Sequence, residues 1–130
     1  MSPSSTLPRW LSAALDSLAA GDVDGYLRIY APDAVHEIPF TREGAMRRLE
    51  GREEIAAYMS RLPGLIRFGG MEQVRAREVG DELIVEADGH HRRIEGDVPF
   101  DVRHVWFITH RDGLVSHFRD YMFPLPPAAA

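Results

Sequence analysis

Asp120 stands between Phe118 and Met122 in the alternating segment Leu114 to Phe123, so an acidic side chain shares a strand face with two large apolar ones. Burial there favours the neutral acid, while a nearby cation favours the anion, and that competition can bring a carboxylate into the range useful for proton transfer. The cation and a second acid are found in the preceding segment, where Arg103 and Asp101 are separated by one residue. A third candidate is His36, which alternates with Ile38 and Phe40 and is suited to acid-base or hydrogen-bonding work. Asp120, Arg103, Asp101 and His36 are therefore the expected catalytic residues. A structural ion pair between Asp120 and Arg103 is the competing reading.

The remaining histidines are less specific. His91 can approach Asp101 and is placed with the ligand-facing residues, whereas His104 alternates out of phase with Arg103 and falls on the opposite face. His90 and His91 do not form a metal motif, because adjacent strand residues point to opposite sides. No metal ligand set and no cofactor are expected. The chain has no cysteine, which removes thiolate nucleophiles, thiolate metal sites and disulfides together. Gly69-Gly70 is too short to cradle a phosphate.

These side chains have to be positioned by the elements around them. In the first half, Leu7, Trp10, Leu11, Ala14, Leu15 and Leu18 recur at helical spacing up to Gly21. Asp22 then caps a second helix with Val23, Tyr26, Leu27 and Tyr30 on one stripe. Ala34 to Phe40 reads as a strand and Thr41 to Gly51 as a loop. A third helix, from about Arg52 to Arg61, buries Ile55, Tyr58, Met59 and Leu62. From Val74 on, the period changes to two. Val74 to Val79, Glu82 to Ile94, Val98 to Thr109 and Leu114 to Phe123 make four successive strands, joined at Gly80-Asp81, Glu95-Gly96-Asp97 and Asp112-Gly113.

Regular turns would set Ile94 opposite Val98, Gly89 opposite Arg103, His91 opposite Asp101 and Val105 opposite Asp120. One face then collects His91, Asp101, Arg103, Val105, Phe118, Asp120 and Met122. The other collects Phe100, His104, Trp106, Tyr121 and Phe123. Helices can cover only one face, so the second is the expected surface of a homodimer. A bulge or one-residue slip would exchange parts of these sets.

Size and charge bound the rest. At 130 residues the chain makes one domain, and 45% hydrophobic residues are enough for a real core. The expected division is a leader over 1–6, a single domain over 7–124 and a Pro/Ala tail over 125–130. A formal charge of -5 gives no broad footprint for nucleic acid. There is no apolar run long enough for a membrane span and no signal-peptide pattern at the start, so the expectation is a cytoplasmic protein that is not membrane-bound.

Several local motifs carry a family resemblance: Ala19-Ala20-Gly21-Asp22, Tyr26 through Asp33-Ala34, Val35-His36-Glu37-Ile38-Pro39-Phe40, Leu49-Glu50-Gly51-Arg52-Glu53-Glu54-Ile55, and Arg111-Asp112-Gly113 leading to Phe118-Arg119-Asp120-Tyr121. The chain resembles the nuclear-transport-factor-2-like superfamily (NTF2-like, cystatin-like), in its SnoaL-like polyketide cyclase and ketosteroid isomerase-like branches. Val85 to His90 and Arg119 to Pro124 look further like the PhzA/PhzB-type phenazine-biosynthesis proteins. The resemblance implies an α+β cone, with a curved antiparallel sheet packed on three helices around a hydrophobic pocket for a small hydrophobic or aromatic molecule.

It also implies an acid in the last strand, which Asp120 matches. The acidic base and the two oxyanion donors of the steroid isomerases would fall at Ile38, Ala14 and Arg103, none of which supplies the required group. The Arg and Asp of limonene-epoxide-hydrolase-like enzymes are matched by Arg103 and Asp101 in reversed order. Tyr26, Tyr30, Ile38, Phe40, Tyr58, Met59, Leu62, His91, Val105, Phe118 and Met122 are the expected pocket lining. The implied function is cofactor-independent acid-base chemistry on a hydrophobic or polyketide-like substrate, as cyclase, isomerase or hydrolase. A non-catalytic metabolite-binding or helper protein of the same fold is the alternative.

Overall fold

The apolar stripe of the N-terminal segment forms helix α1, Arg9–Ala19, which buries Leu11, Ala14 and Leu18. Its chain is released at Gly21, whose φ of 84° is a conformation that side chains disfavour. Asp22 then caps α2, Val23–Leu27, by accepting the Gly25 amide at 3.0 Å. α3, Arg52–Met59, follows Gly51 and buries Ile55 and Met59. The computed structural model describes residues 7–41 and 46–125. The expected leader and nearly all of the expected tail lie outside the described residues.

The strands are β1, Tyr30–Ile38; β2, Arg47–Glu50; β3, Ile66–Arg67; β4, Met71–Val79; β5, Glu82–Arg93; β6, Val98–Arg111; and β7, Leu114–Pro124. They build one sheet in the order β2-β1-β7-β6-β5-β3, with β4 also on β5. Neighbours are antiparallel except β1 and β7, which run parallel. Helices and a curved, largely antiparallel sheet make the expected α+β architecture. Several boundaries differ from the expected ones, β3 is an added strand, and two of the differences lie on the β1 side of the sheet. Tyr30 opens β1 instead of closing α2, and β2 forms within the segment expected to be a loop.

The strand register differs in two places, and both decide which side chains meet. Ile94 leaves the β5–β6 ladder: its backbone is helical, and its amide bonds to Leu65 O at 3.0 Å. Arg93 therefore faces Val98, which sets Gly89 against Val102, His91 against Phe100 and Asp88 against Arg103. In the β6–β7 hairpin, Arg111 does face Leu114, across a turn with positive φ at Asp112 and Gly113. A bulge follows: His110 pairs with Val115 and Thr109 with His117, leaving Ser116 as the extra residue. Asp120 consequently stands opposite Trp106, and Val105 opposite Tyr121.

β6 is thus turned over relative to the simple alternation. Val102, His104, Trp106 and Ile108 face inward and are buried, and Arg103 lies on the outer face. Between the helices and this inner face, Leu11, Leu18, Ile55 and Met59 pack with Leu83, Val85, Ile108, Val115 and Phe118. Each such side chain contributes about 2 kcal/mol through burial.

Candidate active site

Three strands and α2 bring the polar groups of the inner face together. Tyr26 from α2 and Tyr30 at the start of β1 join their hydroxyls at 2.7 Å, and Tyr30 Oη lies 2.9 Å from His36 Nδ1. The His36 ring stacks on Phe118, with centroids 4.8 Å apart. Its other nitrogen, Nε2, faces Asp120 Oδ2 at 3.7 Å and has no hydrogen-bond partner among the described residues. Trp106 Nε1–H donates to Asp120 Oδ1 at 3.0 Å. The carboxylate side chain is 18% exposed, whereas His36 is 1% exposed.

Charge orders the protons along this chain. A carboxylate beside Nε2 favours the proton on that nitrogen, so Nδ1 accepts from Tyr30 and Tyr30 accepts from Tyr26. Burial raises the pKa of both phenols, and nearby Asp120 adds to the rise, so both remain O–H donors. Tyr58 on α3 is raised by burial first and Asp120 second. One Asp120 oxygen is held, and the second is left to face a weakly engaged imidazole.

A second group lies on the same face. His91 Nε2 and His104 Nε2 are 3.0 Å apart, and the Gly69 amide donates to His91 Nδ1 at 3.0 Å. Burial lowers His91 to about 4, with further lowering by His104, and burial also lowers His104. Met122 stands opposite His104 across the strands.

The expected site residues separate into groups. Asp120, His36, Tyr26, Tyr30, Phe118 and His91 belong to the inner face, with Ile38 buried beyond His36 on β1 and Met59 and Leu62 packed into or against the core. Tyr58 is half-buried, with the Arg47 guanidinium carbon 5.5 Å from its ring centroid. Phe40 is 61% exposed and packs on Tyr121, so it does not fill the interior.

Arg103 is not beside Asp120. Its guanidinium holds Asp88 through two bonds of 2.7 and 3.1 Å on the outer face, which lowers the Asp88 pKa. Asp101 is on that face too, bonded to His90 at 2.9 Å instead of approaching His91. Val105 also points outward, against Tyr121. The turned-over β6 accounts for all three placements. The same inversion brings in Trp106 and His104, which simple alternation assigns to the exterior. The Ser116 bulge that relocates them carries no distinctive residue of its own.

The outer face has its own buried acid, Glu37, bonded to Arg48 at 2.9 Å and to His117, with Arg119 Nε at 3.6 Å. Burial opposes its ionisation, but His117 and Arg48 outweigh it and lower its pKa. Two open hollows on the helical side, one between α2 and α3 and one beside Trp10, contain neither Asp120 nor His36.

A SnoaL-like domain model matches residues 11–118. The YesE protein of Bacillus subtilis is 27% identical over 92% of this chain and 80% of its own length. A PhzA/B-like protein of Pseudomonas aeruginosa is 29% identical over 86% of this chain and 80% of its own. Among solved structures, a candidate isomerase of Bacillus subtilis superposes with a TM-score of 0.83 at 24% identity, covering 95% of this chain and 91% of that one. A candidate polyketide cyclase of Xanthomonas campestris gives 0.68 at 21% identity, covering 86% of each. Both structures share the fold.

Proposed function

The chain belongs to the SnoaL-like domain family, and from that premise we propose an acid-base enzyme for small hydrophobic, polyketide-like carbonyl compounds in which Asp120 takes the proton. The observation that carries this reading is the Asp120 carboxylate, with one oxygen fixed by Trp106 and the other facing His36 Nε2 at 3.7 Å. Asp120 stands on the inner face beside His36 and Trp106, and it is partly reached by solvent.

In the proposed step, a C–H bond next to the substrate carbonyl breaks and its proton goes to Asp120 Oδ2. The released electron pair forms a carbon–carbon double bond, and the carbonyl π pair moves to oxygen. Total charge is unchanged, because the carboxylate becomes neutral as the enolate forms. The enolate can then be reprotonated elsewhere, as in isomerisation, or attack a second carbonyl, as in ring closure. Neither route needs a cofactor. Proton abstraction is favoured over epoxide hydrolysis because Arg103 and Asp101 stand with Asp88 and His90, away from Asp120.

The test is exchange of the acidic C–H protons of 2-tetralone in D2O, followed by proton NMR. The expected outcome is catalysed exchange that falls by about 10²–10⁴-fold in Asp120→Asn. Equal exchange by both proteins would remove Asp120 from the step. Binding without exchange would favour the non-catalytic alternative.

Self-association through the outer face is part of the same proposal. Phe40 and Phe123 are 61% and 46% exposed there, next to Tyr121 and Phe107. Sedimentation should show a dimer that Tyr121→Asp dissociates, and a monomeric wild type would refute this.

A further inference from the structure

The Gly69 amide settles the proton positions of two buried histidines. A backbone N–H can only donate, so His91 Nδ1 is the acceptor and the neutral ring carries its proton on Nε2. That proton points to His104 Nε2, 3.0 Å away, which must then accept. The proton of neutral His104 is therefore on Nδ1. This atom is buried and has no hydrogen-bond partner among the described residues, in a residue 7% exposed. An unsatisfied buried donor carries a desolvation penalty, which a ligand oxygen would remove.

The surroundings are shaped for this relay. A Cβ on Gly89 would lie 2.4 Å from His91 Nε2 and 2.7 Å from His104 Nε2, so a side chain there would occupy the space of the His–His bond. A Cβ on Gly69 would lie 1.8 Å from His90 O, so only glycine lets this backbone approach β5 closely enough to donate. Phe68 packs edge-on against His91, with centroids 5.4 Å apart. Burial keeps both imidazoles neutral near pH 7, which preserves the directional order. On the other side, His104 packs on Trp106, with centroids 5.2 Å apart, and Trp106 holds Asp120. Asp120 acts electrostatically on His104.

We propose that His104 is the substrate-oxygen donor, giving its Nδ1–H to a ketone carbonyl, and that His91 is a positioning residue that fixes this proton through Gly69. The inference rests on the Asp120 reading above and adds the group on which the substrate oxygen sits. As Asp120 gains the C–H proton, negative charge develops on that oxygen, and the bond from Nδ1–H strengthens while both histidines stay neutral. The ligand class is an uncharged ketone, because a preformed anion would meet the Asp120 carboxylate.

The experiment uses the full chain with nitrogen-15 labelling, read by long-range proton–nitrogen correlation of the histidine rings. His104 should carry its proton on Nδ1 and His91 on Nε2. Added 2-tetralone should shift the His104 Nδ1–H signal, and tetralin, which lacks the carbonyl, should leave it in place. In His104→Phe the dissociation constant for 2-tetralone should rise about tenfold while that for tetralin is unchanged. His91→Gln, which can both accept from Gly69 and donate to His104, should retain the Nδ1–H form, and His91→Phe should release it to a mixture.

A His104 proton on Nε2, or an Nδ1–H signal indifferent to 2-tetralone while Asp120-dependent exchange proceeds, would overturn the inference and leave the Asp120 reading standing. Failure of the wild type to bind 2-tetralone would overturn both. The tautomer measurement needs only the wild type, so it decides even if His104→Phe does not fold.

Discussion

Trp106 and Asp120 stand directly opposite each other on β6 and β7, and the indole N–H donates to one carboxylate oxygen at 3.0 Å. The bond ties the carboxylate to a ring that is itself packed between His104 and Phe118. Removing it frees the acid to rotate away from the aligned geometry. We therefore expect Trp106→Phe to lower kcat for 2-tetralone exchange about tenfold with little change in KM. An unchanged kcat would deny Trp106 an orienting role.

His91 should make the fold acid-sensitive. Burial holds its folded pKa at about 4, against the ordinary imidazole value of 6.5. Between those values the unfolded chain binds a proton that the native chain does not, so stability falls as pH drops from 6.5 towards 4. Above 6.5 this group has no effect. The difference corresponds to about 3 kcal/mol. His104 is lowered as well and acts in the same direction. Urea unfolding at pH 7 and pH 4.5 should show a smaller acid loss in His91→Gln than in wild type, and equal losses would contradict this.

Glu37 joins β1 to β2 and β7 through Arg48, His117 and Arg119. Its pKa is lowered, so its contribution is present above the unfolded value near 4.5 and is lost as pH falls through the folded one. Glu37→Gln should cost about 2 kcal/mol at pH 7, less than a wholly buried pair because Arg48, His117 and Arg119 are 48, 36 and 43% exposed and can rehydrate. Thermal unfolding checks the value, and a cost below about 0.5 kcal/mol would place Glu37 with ordinary surface ion pairs.

Gly89→Ala should cost about 1–3 kcal/mol and disturb the nitrogen-15 signals of His91 and His104 together, because its Cβ meets both rings. Gly64→Ala is the matched control, with nothing within 4 Å of its Cβ. Identical histidine spectra in wild type and Gly89→Ala would mean that the rings do not occupy this space.

The helical stripe from Leu11 to Leu18, the Asp22 cap and the strand-turn-strand succession were all legible from spacing, and they suffice for the α+β architecture. Asp120 and His36 were legible as polar groups in phase with apolar neighbours, on strand faces that would otherwise be wholly apolar. The Arg103 partnership was not. It depended on carrying a period of two through the Ile94 turn and past Ser116, and one unpaired residue at such a point reverses every later side chain. His104 and Trp106 were assigned to the exterior for the same reason. The parallel pairing of β1 with β7 joins segments far apart in sequence, and local patterning carries no signal for it.

Because Arg119 and Asp120 are neighbours on one strand, β7 holds opposite charges on its two sides. Slipping it by one residue along β6 would put a guanidinium where the carboxylate now stands, next to His36 and Trp106. The extra residue at Ser116 therefore sets the sign of the charge that faces His36, because without it Arg119 would stand opposite Trp106, and Phe118 and Met122 would turn outward with Asp120.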